Sequence, residues 1–271
     1  MPSGMVPLLA MLAYPEINPV ALDLGWVSIR WYGLAYLAGL SIGTALVWRR
    51  FRRMGWEPAG ILDGVGTLMI GLLLGGRLGY VVIYDGMRTL SDPLSILAIW
   101  QGGMSFHGGL IGASLAGWWL TRSGTASQRW ALADTVVLGV GPGLFLGRLA
   151  NFINQELVGR VTHVPWGMPV PGYGPWPRHP SPLYEAMGEG LVLGCGLWLV
   201  ATLFKPREGV LLGVFLTGYG LIRFGLEWFR DPDPQLGFLA GFTMGQWWCA
   251  LMILIGVGVI MRRKGPPKSN H

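Results

Sequence analysis

The sequence is poor in charged residues and in residues that bind metals. Of its 271 residues only 13% are charged, whereas 52% are hydrophobic. Soluble domains carry about 25% charged residues, so this composition excludes an ordinary soluble domain and predicts a membrane protein. The two cysteines, Cys195 and Cys249, lie in apolar runs without a CxxC motif, and we expect both to be small core residues. The four histidines show no ligand spacing, so we expect no metal site.

The start of the sequence also lacks the pattern of a cleavable signal, and we expect none there. The first 22 residues contain no basic residue, and Pro15 and Pro19 interrupt their weakly apolar pattern. We therefore predict that this stretch lies on the bilayer surface as an interfacial segment.

Glycine is abundant, with 44 residues in the chain. Membrane helices use glycine to bring two backbones into close contact. Two runs repeat glycine every fourth residue, a spacing that predicts packing faces between helices. The runs are Gly71, Gly75 and Gly79, and Gly139, Gly143 and Gly147.

Long hydrophobic runs predict an all-α polytopic membrane protein that forms a single integral-membrane domain. A helix needs about 20 predominantly apolar residues to cross the hydrocarbon layer. Seven windows approach that length, and the third is the shortest. The windows are 28–48, 59–84, 105–121, 131–152, 185–203, 209–229 and 243–261.

Basic residues are divided unequally between the two sets of helix ends, 12 against 5. The positive-inside rule places the richer set in the cytoplasm, so the N-terminus is predicted outside and the C-terminus in the cytoplasm. This bias accounts for the net charge of +6, and we expect no nucleic-acid partner. The richer set is Arg49, Arg50, Arg52, Arg53, Arg122, Arg129, Lys205, Arg207, Arg262, Arg263, Lys264 and Lys268, and the poorer set is Arg30, Arg88, Arg160, Arg178 and Arg230.

One long segment, 153–184, lies on the predicted outer side between spans four and five. It contains seven prolines, which exclude a long helix. We predict a small irregular or β-containing cap, a feature that suits an enzyme with a large substrate or a transporter with a lid.

The stretch GRLANFINQELVGR (147–160) contains the most informative polar residues. Arg148, Asn151, Asn154 and Glu156 follow directly after an apolar run. An arginine inside a membrane helix costs at least about 2.5 kcal/mol on insertion scales, so it is retained where something requires it. Arg148 and Asn151 share one helix face, which favours a grip on an anionic head group or a clamp between helices.

Two further arginines, Arg77 and Arg223, lie inside predicted spans at a similar depth below the outer surface. Tyr32 and His107 begin spans one and three at that level, and independent helices therefore place polar groups at one height. A stripe at helical spacing also runs along span six. The stripe is Tyr219, Arg223, Glu227 and Arg230.

Each of these groups also has a purely structural interpretation. For Arg77 the alternative is a structural ion pair with Asp85 or Glu156. For the stripe along span six it is a ladder of ion pairs within the helix. For His107 the alternative is a core residue whose hydrogen bonds are satisfied by its neighbours. For three residues of the block 178–185 it is the capping of span five. They are His179, Glu185 and, as N-cap, Ser181.

Six blocks, in order along nearly the whole chain, resemble the prolipoprotein diacylglyceryl transferase family of the bacterial cytoplasmic membrane. Ala150 and Gln155 stand where that family usually has glycine. The blocks are RWYGLAY (30–36), GGRLGY (75–80), DPL with WQGGMSFHGGLIG (92–112), GRLANFINQELVGR (147–160), RHPSPLYE (178–185) and GYGLIRFGLEWFRDPD (218–233).

The resemblance implies an enzyme that moves the diacylglyceryl group of phosphatidylglycerol to the lipobox cysteine of a prolipoprotein. The products are a thioether and glycerol 1-phosphate, and no cofactor is implied. The implied location is the bacterial inner membrane, with the active site toward the outer leaflet. The site residues carried over are Tyr32, His107, Arg148, Asn151, Asn154, Glu156, Gly159, Tyr219, Arg223, Glu227 and Arg230.

The chemistry of such a transfer assigns roles to these side chains. Arg148 and Arg223 are the candidates to clamp the phosphodiester, because a guanidinium stays charged and forks onto phosphate oxygens. Asn151 and Tyr32 are the candidates to orient it. His107 is the candidate base for the thiol, with Glu227 as the alternative.

Two other classes of protein remain open from the residues themselves. A transporter or flippase for an anionic lipid or metabolite also places arginines in the membrane, although no inverted repeat is clear here. A lipid-binding scaffold explains the arginines but leaves His107 and Glu227 without a role.

Overall fold

The structure is a computed structural model that describes residues 12–25, 27–53, 60–82, 96, 103–231 and 238–263. These residues form two compact units. The first contains the described parts of 1–47 and 136–271, and the second contains those of 48–135.

Each of the seven windows contains a helix within the described chain. Five of these helices, α1, α2, α4, α5 and α7, are long and apolar enough to cross a membrane. Helices α3 and α6 have 15 and 17 residues and are only about 22 and 26 Å long, short of the hydrocarbon layer. The predicted helical architecture is therefore confirmed with five candidate membrane spans, and the count of seven stays a prediction. The helices are α1 (Trp31–Arg53), α2 (Ile61–Tyr80), α3 (Phe106–Leu120), α4 (Ala126–Ile153), α5 (Ser181–Leu203), α6 (Val210–Leu226) and α7 (Met244–Arg263).

Large apolar side chains point away from the protein along these helices. Leu62, Leu199 and Leu254 are each more than half exposed, as expected where lipid rather than water surrounds a helix. Of the two cysteines, which are both free thiols, Cys249 is buried as predicted. Cys195 is exposed on α5, so the prediction of a core position is wrong for that residue.

In the second unit, glycines bring α2 and α3 into backbone contact. A Cβ atom on Gly75 would lie 2.3 Å from the carbonyl oxygen of Gly108, and one on Gly71 would lie 2.6 Å from that of Gly112. A Cβ on Gly79 would lie 2.7 Å from the Cα of Gly108. No side chain fits at such distances, so the predicted packing face of α2 is confirmed.

Arg77 is buried in this same unit and binds backbone carbonyls. Its Nε donates to the carbonyl of Ile96 at 2.9 Å, and its Nη1 donates to that of Gly103 at 3.1 Å. The guanidinium also lies over the ring of Tyr80. These contacts favour a structural role, in which Arg77 fastens the chain that follows α2. Asp85, one carboxylate suggested as its partner, lies outside the described residues.

In the first unit, α1 and α4 meet through glycines in the same way. A Cβ on Gly43 would lie 2.4 Å from the carbonyl oxygen of Gly139, and one on Gly39 would lie 2.8 Å from the Cα of Gly143. A Cβ on Gly147 would contact nothing within 4 Å. The predicted packing face is therefore confirmed for Gly139. The backbone of Gly143 lies close to Gly39, but a Cβ on Gly143, like one on Gly147, would meet nothing within 4 Å.

An apolar core joins α4, α5 and α6 in this first unit. The indole of Trp198 on α5 donates to the carbonyl of Leu138 on α4 at 3.0 Å, which fixes the two helices laterally. This core holds the polar ends of the three helices in register. Its buried members are Val137, Leu138, Leu193, Leu197, Ala201 and Leu211.

Short antiparallel strand pairs and irregular chain cover the ends of the helices. The hairpin β1 (Val20–Asp23) and β2 (Ser28–Arg30) leads into α1. Within 153–184 the strands β3 (Met168–Pro169) and β4 (Pro177–Arg178) pair, and most of the remaining chain is irregular, in agreement with the predicted cap. The pair β5 (Phe238–Leu239) and β6 (Phe242–Thr243) precedes α7.

The segment before β1 attaches to the end of α4. The hydroxyl of Tyr14 donates to the carbonyl of Phe152, and the two rings stack with centroids 4.7 Å apart. This attachment orders the part of the predicted interfacial segment that the structure describes, and its position on a bilayer stays a prediction.

Candidate functional site

Arg148 lies near the end of α4 and grips two carboxylates of α5. Its Nη1 lies 2.9 Å from Oε2 of Glu185. Its Nε and Nη2 donate to Oε2 of Glu189 at 3.3 and 3.1 Å. Three of its five N–H donors are thereby directed at carboxylates, and the planar fork fixes the orientation of the guanidinium.

Arg223 reaches the same two carboxylates from α6. Its Nη1 lies 3.5 Å from Oε1 of Glu185, and its Nε lies 3.7 Å from Oε1 of Glu189. Its Nη2 also pairs with Glu227, one helical turn away, at 2.7 Å. The two arginines therefore meet at one place, although they belong to different helices.

The position of α5 between these arginines depends on two glycines. A Cβ on Gly190 would lie 2.5 Å from the Cα of Phe145 on α4, and one on Gly188 would lie 2.8 Å from a methyl carbon of Ile222 on α6. Both glycines belong to the π-helical stretch Ala186–Val192 in the middle of α5. Wide helical turns of this kind often occur at functional sites, and here they surround Glu189.

The site contains as many positive as negative charges. Arg230 adds a third guanidinium, with its Nη1 3.6 Å from Oε1 of Glu185. Glu185 and Glu189 are completely buried, and such charges persist only when opposite charges compensate them. We call these six residues the arginine–glutamate cluster. They are Arg148, Arg223, Arg230, Glu185, Glu189 and Glu227.

Several buried atoms of this cluster make no well-aligned hydrogen bond. Nη1 of Arg223 has no such partner among the described residues, and neither do the two carboxylate oxygens of Glu185. Oε2 of Glu185 lies 2.9 Å from Nη1 of Arg148, and Oε1 lies 3.5 Å from Nη1 of Arg223. The charges are therefore paired, but the angles do not meet those of a hydrogen bond. An unsatisfied buried donor such as Nη1 of Arg223 requires an explanation, and an anion with oxygen acceptors supplies one.

A second polar group forms where α4 ends. The amide nitrogens of Asn151 and Asn154 donate to the two carboxylate oxygens of Glu156 at 3.0 and 3.3 Å. The hydroxyl of Tyr32 lies within hydrogen-bond reach of Asn151 and 3.2 Å from the hydroxyl of Tyr36. Because an ionised carboxylate only accepts, both amides present their nitrogens to Glu156, and their carbonyl oxygens are left as acceptors.

The turn after α4 brings Glu156 back to Asn151. The backbone nitrogen of Glu156 donates to the carbonyl of Asn151 at 2.9 Å. Gln155 and Leu157, on either side of Glu156, have φ angles of 58° and 55°. Glycine adopts this left-handed conformation without the cost of about 1–2 kcal/mol that other residues bear. The resemblance noted for the sequence implies glycine at position 155, and the φ angle of 58° explains why glycine suits this turn, which Gln155 adopts here.

Gly159 lies where the cap contacts the chain after α6. Its nitrogen donates to the carbonyl of His179 at 3.2 Å, and the nitrogen of Arg160 donates to that of Phe229 at 2.9 Å. A Cβ on Gly159 would lie 2.3 Å from the carbonyl oxygen of His179 and 2.7 Å from that of Phe229. Glycine is therefore required here by packing, and contact of Gly159 with a substrate stays a prediction. Burial lowers the pKa of His179, whose ring lies 3.2 Å from the hydroxyl of Tyr184.

The predicted stripe on α6 is only partly helical. Tyr219 and Arg223 lie on the helix, which ends at Leu226, and Arg230 lies beyond it in an isolated bridge with Gly159. Glu227 accepts a hydrogen bond from the hydroxyl of Thr243 at 2.9 Å in addition to its ion pair with Arg223. The pair Arg223–Glu227 is thus the predicted ion pair within the helix, and the rest of the stripe turns toward α5 and the cap.

His107 is the second residue of α3, as the sequence predicts for the start of a span. The helix is capped by Ser105, whose hydroxyl oxygen accepts from the nitrogen of Gly108 at 3.3 Å. The side chain of His107 lies outside the described part of the chain, and its role as a base stays a prediction.

The sequence predictions missed Glu189 and misjudged Glu185. Glu185 does not cap α5, because it is completely buried against Arg148 and Arg223. Ser181 is not an N-cap either, since its hydroxyl donates to the carbonyl of Leu157 at 2.8 Å. A signal for Glu189 was present, because an ionisable residue within an apolar window marks a functional site by default.

Comparison with known proteins places these residues in a well-populated group. A family model described as prolipoprotein diacylglyceryl transferase matches residues 19–262. Three similar proteins carry the name phosphatidylglycerol–prolipoprotein diacylglyceryl transferase. The protein of Nitratidesulfovibrio vulgaris is 45% identical, and the match covers 94% of this chain and 97% of that protein. The protein of Allorhizobium ampelinum is 45% identical, with 97% of this chain and 96% of that protein covered. The protein of Coxiella burnetii is 47% identical, with 91% of this chain and 95% of that protein covered.

Proposed function

This chain belongs to the prolipoprotein diacylglyceryl transferase family, and we propose that it transfers the diacylglyceryl group of phosphatidylglycerol to the lipobox cysteine of prolipoproteins. This is the first step of lipoprotein maturation. The observation that supports it best is the meeting of Arg148 and Arg223 from separate helices at one buried cluster.

The transfer requires a substitution at carbon. The cysteine sulfur forms a bond to the terminal carbon of the diacylglyceryl group, and the bond from that carbon to the phosphate oxygen breaks. The electron pair leaves with glycerol 1-phosphate, and the thiol proton passes to a base. Three tasks follow for the protein, namely to ionise the thiol, to neutralise the leaving phosphate and to align the reactants.

Arg148 and Arg223 carry the second task in this proposal. Each is permanently charged and retains N–H donors that its carboxylate partners do not use. A phosphate in contact with both would receive hydrogen bonds from two helices at once. Such fixed donors stabilise the charge that develops on the leaving group without having to reorganise.

Asn151, Asn154, Glu156 and Tyr32 orient the head group. Asn151 commits its amide nitrogen to Glu156 and offers an acceptor, so it suits a hydroxyl of the terminal glycerol better than a phosphate oxygen. Gly159, Tyr219, Glu227 and Arg230 complete the proposed substrate site through the cap and the arginine–glutamate cluster.

His107 is the proposed base for the thiol. Glu227, the alternative, already pairs with Arg223 at 2.7 Å and accepts a hydrogen bond from Thr243 at 2.9 Å, so its carboxylate is engaged in holding other side chains. A neutral imidazole near the start of α3 is the better acceptor for a thiol proton.

The proposed location is the bacterial inner membrane. Seven spans, with the N-terminus outside and the C-terminus in the cytoplasm, follow from the basic residues at the helix ends. In this orientation the cap and the ends of α4 and α6 lie at the outer leaflet, the side on which secreted prolipoproteins emerge.

One assay tests the proposal directly. Detergent-purified protein is incubated with phosphatidylglycerol and a lipobox peptide, and released glycerol phosphate and lipidated peptide are measured together. We expect both products in equal amounts, and neither with a matched peptide that carries serine in place of the cysteine. Binding of phosphatidylglycerol without release of glycerol phosphate would indicate a transporter or a lipid-binding scaffold instead.

A further inference from the structure

Glu185 and Glu189 each touch both arginines, so that the four residues close a ring. Glu189 receives Arg148 on Oε2 at 3.1 Å and faces Arg223 with Oε1 at 3.7 Å. Glu185 receives Arg148 on Oε2 at 2.9 Å and faces Arg223 with Oε1 at 3.5 Å. The two oxygens of each carboxylate are thus divided between the two guanidiniums, and the separation of the arginines is set by the glutamates.

Charge explains why the ring needs both glutamates. Two guanidiniums brought together away from water repel each other, and each loses its hydration. Arg223 has a third partner in Glu227 and keeps it if the ring opens. Arg148 contacts only Glu185 and Glu189 among the charged side chains of the described residues, so its orientation depends on them alone.

Glu189 determines the orientation of Arg148 more strictly than Glu185 does. It accepts from both Nε and Nη2, which fixes the plane of the guanidinium, whereas Glu185 faces Nη1 without an aligned hydrogen bond. The remaining N–H donors of Arg148 consequently point in directions that Glu189 sets. A ligand that needs two donors in a fixed geometry would be sensitive to this carboxylate.

We propose that Glu189, assisted by Glu185, is a positioning residue that holds Arg148 and Arg223 at the spacing needed to receive one phosphate group. This inference rests on the proposed function, in which that phosphate belongs to phosphatidylglycerol. Neither glutamate touches the reacting atoms in this scheme. Both act through the arginines.

The test replaces Glu189 with its neutral isostere. In Glu189→Gln an NH2 group replaces one carboxylate oxygen, so the side chain can accept from only one of the two arginines and must turn a donor toward the other, while Glu185 still pairs with both. We expect kcat to fall about 100-fold, as for other small displacements of catalytic groups, and KM for phosphatidylglycerol to change much less. Glu189→Asp keeps the charge on a shorter side chain and should recover part of kcat.

A matched control and a measurement of folding separate positioning from stability. Glu208→Gln makes the same chemical change outside the cluster and should retain kcat within about twofold, because it is the main-chain oxygen of Glu208 that accepts from Arg263 and its carboxylate forms no ion pair with the described part of the chain. The melting temperature in detergent and the monodisperse fraction are measured for every variant, and kcat is expressed per folded molecule. A purely structural role would lower the folded fraction and leave this kcat unchanged.

The outcomes separate this inference from the function on which it rests. If the wild type releases no glycerol phosphate, the proposed function fails. If the wild type is active and folded Glu189→Gln keeps its kcat within about threefold, the positioning role is wrong and the function stands. Should Glu189→Gln not fold, Glu189→Asp decides. A fall in its kcat of at least about tenfold supports the role, and wild-type kcat overturns it.

Discussion

Arg148 and Arg223 show how charged residues are kept inside a membrane protein. Each is paired with carboxylates that are themselves completely buried, and the cluster contains three arginines and three glutamates. A phosphate is therefore met by oriented N–H donors rather than by an excess of positive charge. This favours recognition by geometry, for which arginine is better suited than lysine.

The choice of base is also decided by single residues. In His107→Gln we expect turnover to fall at least about 100-fold while phosphatidylglycerol binding stays within about threefold, because a general base contributes to the reaction and not to lipid affinity. Turnover and lipid binding are measured on the same purified protein. Activity within a few-fold of wild type would make His107 structural and return Glu227 to consideration.

Part of the site could be predicted from single residues in the sequence, and part could not. Arg148, Asn151 and Arg223 stand out because a polar side chain in an apolar helix is costly. Glu189 carries the same signal, but its partners lie 41 and 34 residues away on other helices, and no local spacing connects them. The turn at Gln155 was equally hidden, since glutamine itself gives no sign of a left-handed backbone.

At the level of elements, α5 is the support of the site. It carries both buried glutamates, and its glycines allow α4 and α6 to approach it from two sides. The contact between α5 and α4 is especially tight, because Gly190 lies against the backbone of Phe145. Any side chain at this position must move one helix relative to the other.

Gly190→Ala should therefore disturb the site without changing any charged residue. The added methyl would lie 2.5 Å from the Cα of Phe145, and overpacking of this kind typically costs about 1–3 kcal/mol. We expect a lower melting temperature and at least about tenfold slower turnover per folded molecule, because Glu189 shifts relative to Arg148. Gly196→Ala, on the same helix but facing open space, is the matched control. Equal behaviour of the two variants would show that the contact does not position the site.

Glycine spacing predicted part of this arrangement. The runs in α2 and α4 were recognisable because glycine recurs every fourth residue, and at four of the six positions an added Cβ would collide with the neighbouring helix. Gly188 and Gly190 do not follow that spacing, since each faces a different helix. Their role became visible only once the three helices were placed together.

At the level of the whole molecule, hydrophobic runs located the helices well. All seven windows contain one, because a long apolar run in water-free surroundings satisfies its backbone only as a helix. Five of these helices are long enough to span the bilayer, whereas α3 and α6 have 15 and 17 residues, so the count of seven spans stays a prediction.

The predicted orientation can be tested by labelling single cysteines in whole cells. Cys195 and Cys249 are first replaced by alanine, and Tyr173→Cys in the cap and Ser123→Cys between α3 and α4 are then introduced separately. We expect a membrane-impermeant maleimide to label the cap position in intact spheroplasts, and position 123 only after permeabilisation, because basic residues flank it. The opposite pattern would invert the topology.

The most direct measurement is the turnover of Arg148→Lys and Arg223→Lys in purified, folded protein. Lysine keeps the charge but lacks the fork, so it cannot bridge the shared carboxylates and a phosphate with fixed donors. We expect each variant to release glycerol phosphate at least about 100-fold more slowly than the wild type, with its melting temperature nearly unchanged. Turnover within about threefold of the wild type in either variant would contradict a joint grip of the two guanidiniums on one phosphate.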